Sequence, residues 1–187
     1  MIIAIDYDGT IGDTNREKIK WIEENLGKVV SPWNCSRTDC VPIIGLEAYE
    51  SMGDYVYERE STLVANEVPG ALDALRKLSG KAQLHLVTAR LERRVPHARE
   101  WLERKGVLPC FEGIHTSAGT SKSAICSAIG ADILIDDDVR HLREIDVEGL
   151  FRILLQDGRD DKPDCGSGVT FCRSWSQVLE HSGSARK

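Results

Sequence analysis

Residues 1–11, MIIAIDYDGTI, restrict the fold more than any other stretch of the chain. Five apolar residues stop at two carboxylates, Asp6 and Asp8, followed by Gly9 and Thr10. A short apolar run bounded by a turn signal reads as a buried strand. A strand apolar on both faces belongs in the middle of a parallel sheet. Ligands of open α/β sheets gather at the carboxyl ends of such strands, where Asp6 and Asp8 stand. Two neighbouring carboxylates repel each other unless something positive holds them. A divalent metal, with one Asp free to act on a substrate, is the first expectation; a solvated Asp turn is the plain alternative.

The pattern repeats. The apolar run 82–87 stops at Thr88-Ala89-Arg90, and the run 133–135 stops at Asp136-Asp137-Asp138. Helical periodicity fills the intervals, over 69–78, 96–105 and 121–129, with Gly130 placed to end the last. Shorter runs at 111–115 and 149–155 read as further strands, and Ser174 caps a last helix to about 180. Strands alternating with helices predict an α/β fold, a doubly wound, Rossmann-like parallel sheet. In such a sheet Asp6, Thr88 and Asp136 share one edge.

Residues 12–66 break the alternation. A helix is expected over 14–26, with Thr14 and Glu17 as a capping box and Gly27 as terminator. Helical patterns follow at 46–52 and 55–65, with loops at Ser31-Pro32-Trp33 and Val41-Pro42. The expected organisation is therefore a core of residues 1–11 and 67–181, a small helical insert at 12–66, and a disordered tail at 182–187. The segment 157–168 is polar and Gly-rich, and reads as a mobile loop.

A length of 187 residues suffices for one such core with a small appended lobe. The net charge of −6 weighs against a nucleic-acid surface, which wants a basic stripe, but allows a small anionic ligand. No apolar stretch is long enough for a bilayer, and residues 1–5 pass straight into a strand without a basic segment or cleavable apolar region. A cytoplasmic protein without a membrane partner is expected. The six cysteines form no CxxC pair and no zinc pattern, and read as small buried residues.

The order Asp6-Tyr7-Asp8-Gly9-Thr10, then Thr88, Lys122 and Asp136-Asp137 resembles the four motifs of the haloacid dehalogenase-like (HAD) superfamily, and covers nearly the whole chain. The resemblance implies a phosphomonoester hydrolase that works through an aspartyl-phosphate. Asp6 would be the nucleophile. Asp8 would be general acid to the leaving oxygen and then base for water. The dehalogenase branch proper fits less well, because its chemistry has no need of Asp8. Mg²⁺ is the implied cofactor, held by the Asp6 carboxylate, the Asp8 main-chain carbonyl and one of Asp136 or Asp137, with Asp137 slightly preferred. Thr88 and the Ala89 amide would bind the phosphoryl group. Lys122 stands in the first turn of a helix, where the macrodipole disfavours a cation, which suits a role between Asp6 and phosphate. Lys105 is the competing lysine, at a helix C-terminus.

The helical insert stands where the superfamily carries its C1-type cap. Its aromatics, Trp33, Tyr55 and Tyr57 above all, are candidates to stack on a base, while Trp21 reads as part of the insert's own core. A small-capped chain with Ile135-Asp136-Asp137 in the fourth motif is similar to the cytosolic-type 5'(3')-deoxyribonucleotidases and their bacterial nucleotidase-like relatives. The partner so implied is a small phosphorylated metabolite, a nucleotide first and a sugar phosphate second. A non-catalytic HAD-fold binding module is the rival from another class, and would be expected to have lost one of these residues.

Overall fold

The protein was analysed as a computed structural model, which describes residues 1–184. Six strands, β1 (Ile2–Ile5), β2 (Gln83–Thr88), β3 (Phe111–Thr116), β4 (Ile133–Asp136), β5 (Phe151–Leu155) and β6 (Val169–Cys172), form one sheet in the order β3-β2-β1-β4-β5-β6. Every pairing is parallel. The chain winds outward from β1 to β3, then returns to the other side of β1 to start β4. The reversal makes the β1/β4 junction the switch point of the sheet, where a crevice opens beyond the strand ends. Asp6 donates its amide to the Ile135 carbonyl at 2.9 Å, so Asp6 and Asp136 emerge side by side there.

The two-sided apolarity of β1 follows from its central place. Ile3, Ile5, Leu84, Leu86, Ile133 and Ile135 point to one face and pack under α5 (Ala71–Ser79), α6 (Val95–Arg104) and α9 (Trp175–Ser184). Ala4, Val87, Leu134 and Leu154 point to the other, under α7 (Lys122–Ile129) and α8 (Val139–Glu144). Alternation with period two puts successive side chains on opposite faces. Trp175 donates its indole N–H to the Thr10 carbonyl at 2.9 Å, anchoring the loop that leaves β1.

Residues 12–66 carry helices α1 (Thr14–Leu26), α2 (Arg37–Ile44), α3 (Leu46–Val56) and α4 (Arg59–Val64). They enclose a small apolar cluster of their own, with Ile22, Cys40, Ile44, Met52 and Val56 buried and Trp21 packed against it. Pro42 lies inside α2 rather than in a loop. Its missing N–H costs a helical hydrogen bond, and the burial of Cys40 and Ile44 on the same short helix offsets that loss.

Three further expectations need correction. β6 went unread because a four-residue edge strand flanked by Gly168 carries little periodic signal. The last helix continues to Ser184 with Ser182 buried, so residues 182–184 are ordered helix; the remainder of the expected tail, 185–187, lies outside the described residues. Thr14 is not the cap of α1: Asp13 accepts from the Arg16 amide at 3.2 Å, which frees the Thr14 hydroxyl for another partner. All six cysteines are free thiols, five of them buried. No helix among the described residues is long and apolar enough to cross a membrane.

Candidate active site

At the carboxyl edge of the sheet lies a cleft of about 930 Å³, walled by the strand ends on one side and the helical insert on the other. Asp6 and Asp136 project from the tips of β1 and β4, and α7 delivers Lys122 from its first turn into the gap between them. The Lys122 ammonium donates to Asp6 Oδ1 and to Asp136 Oδ2, both at 2.6 Å, with all three side chains buried. Burial would favour a neutral lysine, but the two carboxylates outweigh it and raise the pKa. The pairing accounts for a cation at a helix N-terminus, where Ser121 provides the cap by accepting from the Ala124 amide.

Burial raises the Asp6 carboxyl to about 6, against the opposing pull of Lys122 and with the repulsion of Asp136 added. Asp136 is held below the usual carboxylate range: burial works against this, but Lys122 and His141 prevail. The His141 Nδ1 stands 3.3 Å from Asp136 Oδ2. Asp137 is raised well above the usual range by burial and by Asp6 and Asp136. Asn15 steadies it through an Nδ2 hydrogen bond to Oδ2 at 2.9 Å, and Gln156 donates to its main-chain carbonyl at 3.0 Å. Asp6, Asp136 and Asp137 each bring a carboxylate oxygen within 4.8 Å of the others. Lys18 of α1, buried and with its ammonium 3.4 Å from Asn15 Oδ1, adds a second positive charge near Asp137. Three carboxylates in one corner with these ammonium groups suit a hard dication with oxygen ligands.

Gly9 allows this convergence. Its φ is +78°, and a Cβ built there would stand 2.1 Å from Asp137 Oδ2 and 2.5 Å from Asn15 Nδ2.

Asp8 faces the same cleft but looks toward a different partner. Arg90, two residues beyond the end of β2, forks it: Nη2 donates to Oδ1 at 2.8 Å and Nε to Oδ2 at 2.9 Å. The Thr14 hydroxyl donates to Oδ1 at 2.7 Å. Burial pushes the Asp8 carboxyl up, yet Arg90 and Thr14 more than reverse this and hold it ionised.

The remaining sequence candidates divide. Ala89 lines the cleft, and Thr88 lies fully buried just behind it, its Oγ1 accepting from the Arg90 amide at 3.2 Å. Trp33 and Tyr57 line the cleft from the insert. Tyr55 does not: it is 58% exposed, on the outward side of α3. Met52 and Val56 take the inward side of that helix, and Tyr49, three residues before Met52, faces the cleft instead. Lys105, at the C-terminal end of α6, forms no part of the site. Sequence reasoning missed Arg90, Thr14, Asn15, Lys18 and His141. Arg90 had a readable signal, an arginine directly after the Thr-Ala that ends β2; the others depended on the packing of α1 and α8. At the far wall Arg159 donates to Gln156 Oε1 at 2.8 Å and lies over the Trp33 ring, 5.4 Å from its centroid.

A family model described as "5' nucleotidase, deoxy (Pyrimidine), cytosolic type C protein" matches residues 1–178. Among solved structures, a haloacid dehalogenase-like hydrolase of Streptococcus pneumoniae is similar at 17% identity and a TM-score of 0.63, over 97% of each chain. The HAD hydrolase YfnB of Bacillus subtilis, described as bound to magnesium, aligns at 15% identity and a TM-score of 0.64, over 96% of this chain and 97% of that one. A HAD family hydrolase of Deinococcus radiodurans, described with bound phosphate and sodium, aligns at 13% identity and 0.63, over 98% and 95%. At these identities the likeness shows the shared fold. Among curated protein sequences none matches significantly.

Proposed function

The chain belongs to the family of 5' nucleotidases, deoxy (pyrimidine), cytosolic type C, and is a HAD-type hydrolase; from that premise we propose that it hydrolyses a nucleoside monophosphate, with Mg²⁺, through an aspartyl-phosphate on Asp6. The observation that carries the reading is the pairing of two differently held carboxylates in one cleft: Asp6 against Lys122 and the acidic corner, Asp8 against Arg90. The same arrangement supports two distinct jobs for two carboxylates of one motif.

In the first step a carboxylate oxygen of Asp6 attacks phosphorus. As that bond forms, the ester P–O bond breaks and the leaving oxygen takes a proton from Asp8. In the second, water attacks the phosphoryl group and gives its proton to Asp8. The Asp6–phosphorus bond breaks and inorganic phosphate departs. Asp8 rests in the ionised form that the second step needs. A phosphate dianion arriving beside it favours uptake of the proton needed for the first. Lys122 keeps Asp6 oriented and balances its charge, and the Ala89 amide at the cleft wall is assigned to a phosphoryl oxygen, with Thr88 holding the turn behind it through the Arg90 amide. Asp6, the Asp8 main-chain carbonyl and one of Asp136 or Asp137 would hold Mg²⁺, with Asp137 preferred because both Asp136 oxygens already accept, Oδ2 from Lys122 at 2.6 Å and Oδ1 from the Asp138 amide at 3.0 Å. Bound there, the cation would neutralise charge on the transferring phosphoryl group.

Trp33, Tyr49 and Tyr57 give the insert's side of the cleft an aromatic surface, which favours a nucleotide over a sugar phosphate. The test is phosphate release from a panel of nucleoside monophosphates and sugar phosphates, with Mg²⁺ and with EDTA. Release confined to Mg²⁺ and highest for nucleotides is expected. No release from any ester would end the reading, and a preference for sugar phosphates would end its nucleotide part.

A further inference from the structure

We propose that Arg90 is the positioning residue for Asp8, and that it leaves Asp8 Oδ2 as the oxygen that carries the proton in both steps; this rests on the phosphatase reading above. A carboxylate oxygen has two lone-pair sites. Oδ1 accepts from Thr14 at 2.7 Å and from Arg90 Nη2 at 2.8 Å, so both of its sites are taken. Oδ2 accepts one short bond, from Arg90 Nε at 2.9 Å, and keeps a site open. The oxygen free to give and receive a proton is therefore chosen by the fork.

Arg90 can hold that geometry because it is itself held on all sides. Its side chain is 1% exposed. Nη1 donates to the Thr62 hydroxyl of α4 at 2.8 Å, and the guanidinium lies 4.7 Å from the Tyr7 ring centroid and 5.3 Å from that of Tyr57. Its amide donates to Thr88 Oγ1, and its carbonyl accepts from the Thr116 hydroxyl. The residue thus ties the ends of β2 and β3 to two parts of the helical insert, and Asp8 is aimed from that joint. Nε, Nη1 and Nη2 each have a protein acceptor, two of them giving bonds to Asp8, and on this geometry Arg90 acts through Asp8. A lysine has the charge but no planar fork, and would leave the carboxylate free to turn.

The test uses the full chain with Arg90→Ala, Arg90→Lys and Thr62→Val, with p-nitrophenyl phosphate and an alkyl phosphate as substrates. Nitrophenolate leaves without a proton, so the first step with that ester bypasses Asp8, whereas dephosphorylation does not. Arg90→Ala is expected to give a burst close to one equivalent per enzyme at the wild-type rate, followed by a steady rate down about 10- to 100-fold, a part of what acid–base catalysis supplies. The alkyl ester should slow without a burst. Millimolar guanidinium should restore the steady rate of Arg90→Ala, and Arg90→Lys should stay slow. Thr62→Val, which removes only the outer anchor, should show a smaller loss of the same kind and keeps the question open to measurement if Arg90→Ala fails to fold. A lost burst or raised KM would assign Arg90 to the substrate and overturn the proposal, as would wild-type steady rates in both Arg90→Lys and Thr62→Val. A wild type that releases no phosphate would instead sink the phosphatase reading, and the proposal with it.

Discussion

Lys122→Met tests the centre of the site through stability rather than activity. The ammonium stands 2.6 Å from both Asp6 and Asp136 and is 3% exposed. At that distance, with an effective dielectric constant of about 20, each pair is worth about 6 kcal/mol of gross attraction. Desolvation of the three charges consumes most of it, but removing one partner leaves two buried carboxylates facing each other. Breaking a buried pair in this way costs about 3–5 kcal/mol. For a chain of this length that lowers Tm by roughly 6–20 °C. Urea denaturation in EDTA is the assay, with the wild type alongside. Mg²⁺ should recover more stability in the variant than in the wild type, because the cation supplies charge that the lysine no longer does. Adding Asp6→Asn to Lys122→Met should relieve part of the loss, since one of the stranded carboxylates is gone. A loss below about 1 kcal/mol in Lys122→Met would refute the reasoning, because an ammonium so cheaply removed could not be the main counter-charge of the corner.

Gly9→Ala is expected to abolish phosphate release and to cost about 1–3 kcal/mol of stability, since its Cβ would meet Asp137 at 2.1 Å on a left-handed backbone; retained Mg²⁺-dependent turnover would contradict this. Trp33→Ala should weaken a nucleotide by about 1–3 kcal/mol in kcat/KM while sparing p-nitrophenyl phosphate, and Tyr55→Ala should spare both. An equal loss on both substrates for Trp33→Ala would mean that the ring only supports the insert. The pH dependence follows from Asp6, raised by burial to about 6 in the folded, metal-free state. A folded pKa above the unfolded one means that the folded state binds more protons in between, so stability falls as pH rises from about 4 through 6. Asp137, also raised, adds in the same direction, whereas Asp8 and Asp136 are lowered and stay ionised over that window. His141, which burial would lower but its contact with Asp136 raises, also loses its contribution to stability as pH rises past its ordinary value. Urea midpoints in EDTA should accordingly be higher near pH 5 than near pH 7.5, and Asp6→Asn should reduce the difference; a midpoint that rises with pH would count against the assignment.

The parallel sheet was legible in the chain because burial on both faces leaves continuous apolar runs, as in residues 1–5, 82–87 and 133–135. Asp6, Asp8, Lys122, Asp136 and Asp137 were legible too, since a strand that stops at a carboxylate and a lysine at a helix N-terminus both conflict with local preference. Such conflicts mark positions whose partners lie elsewhere in the fold. What local pattern could not supply was which partner each charge takes. Thr14 suits a helix cap as well as it suits Asp8, and only the path of α1 past the end of β1 decides between them. Tyr49 and Tyr55 are equally plausible cleft residues until the packing of Met52 and Val56 sets the rotation of α3. Arg90 meets Asp8 across 82 positions of sequence because β1 and β2 are neighbours in register, Ile5 beside Leu86. Periodicity records which face of an element is buried, and the sequence determined that much; the pairing of charges depends on distances between elements, which exist only once the sheet has been wound and the helices set against it.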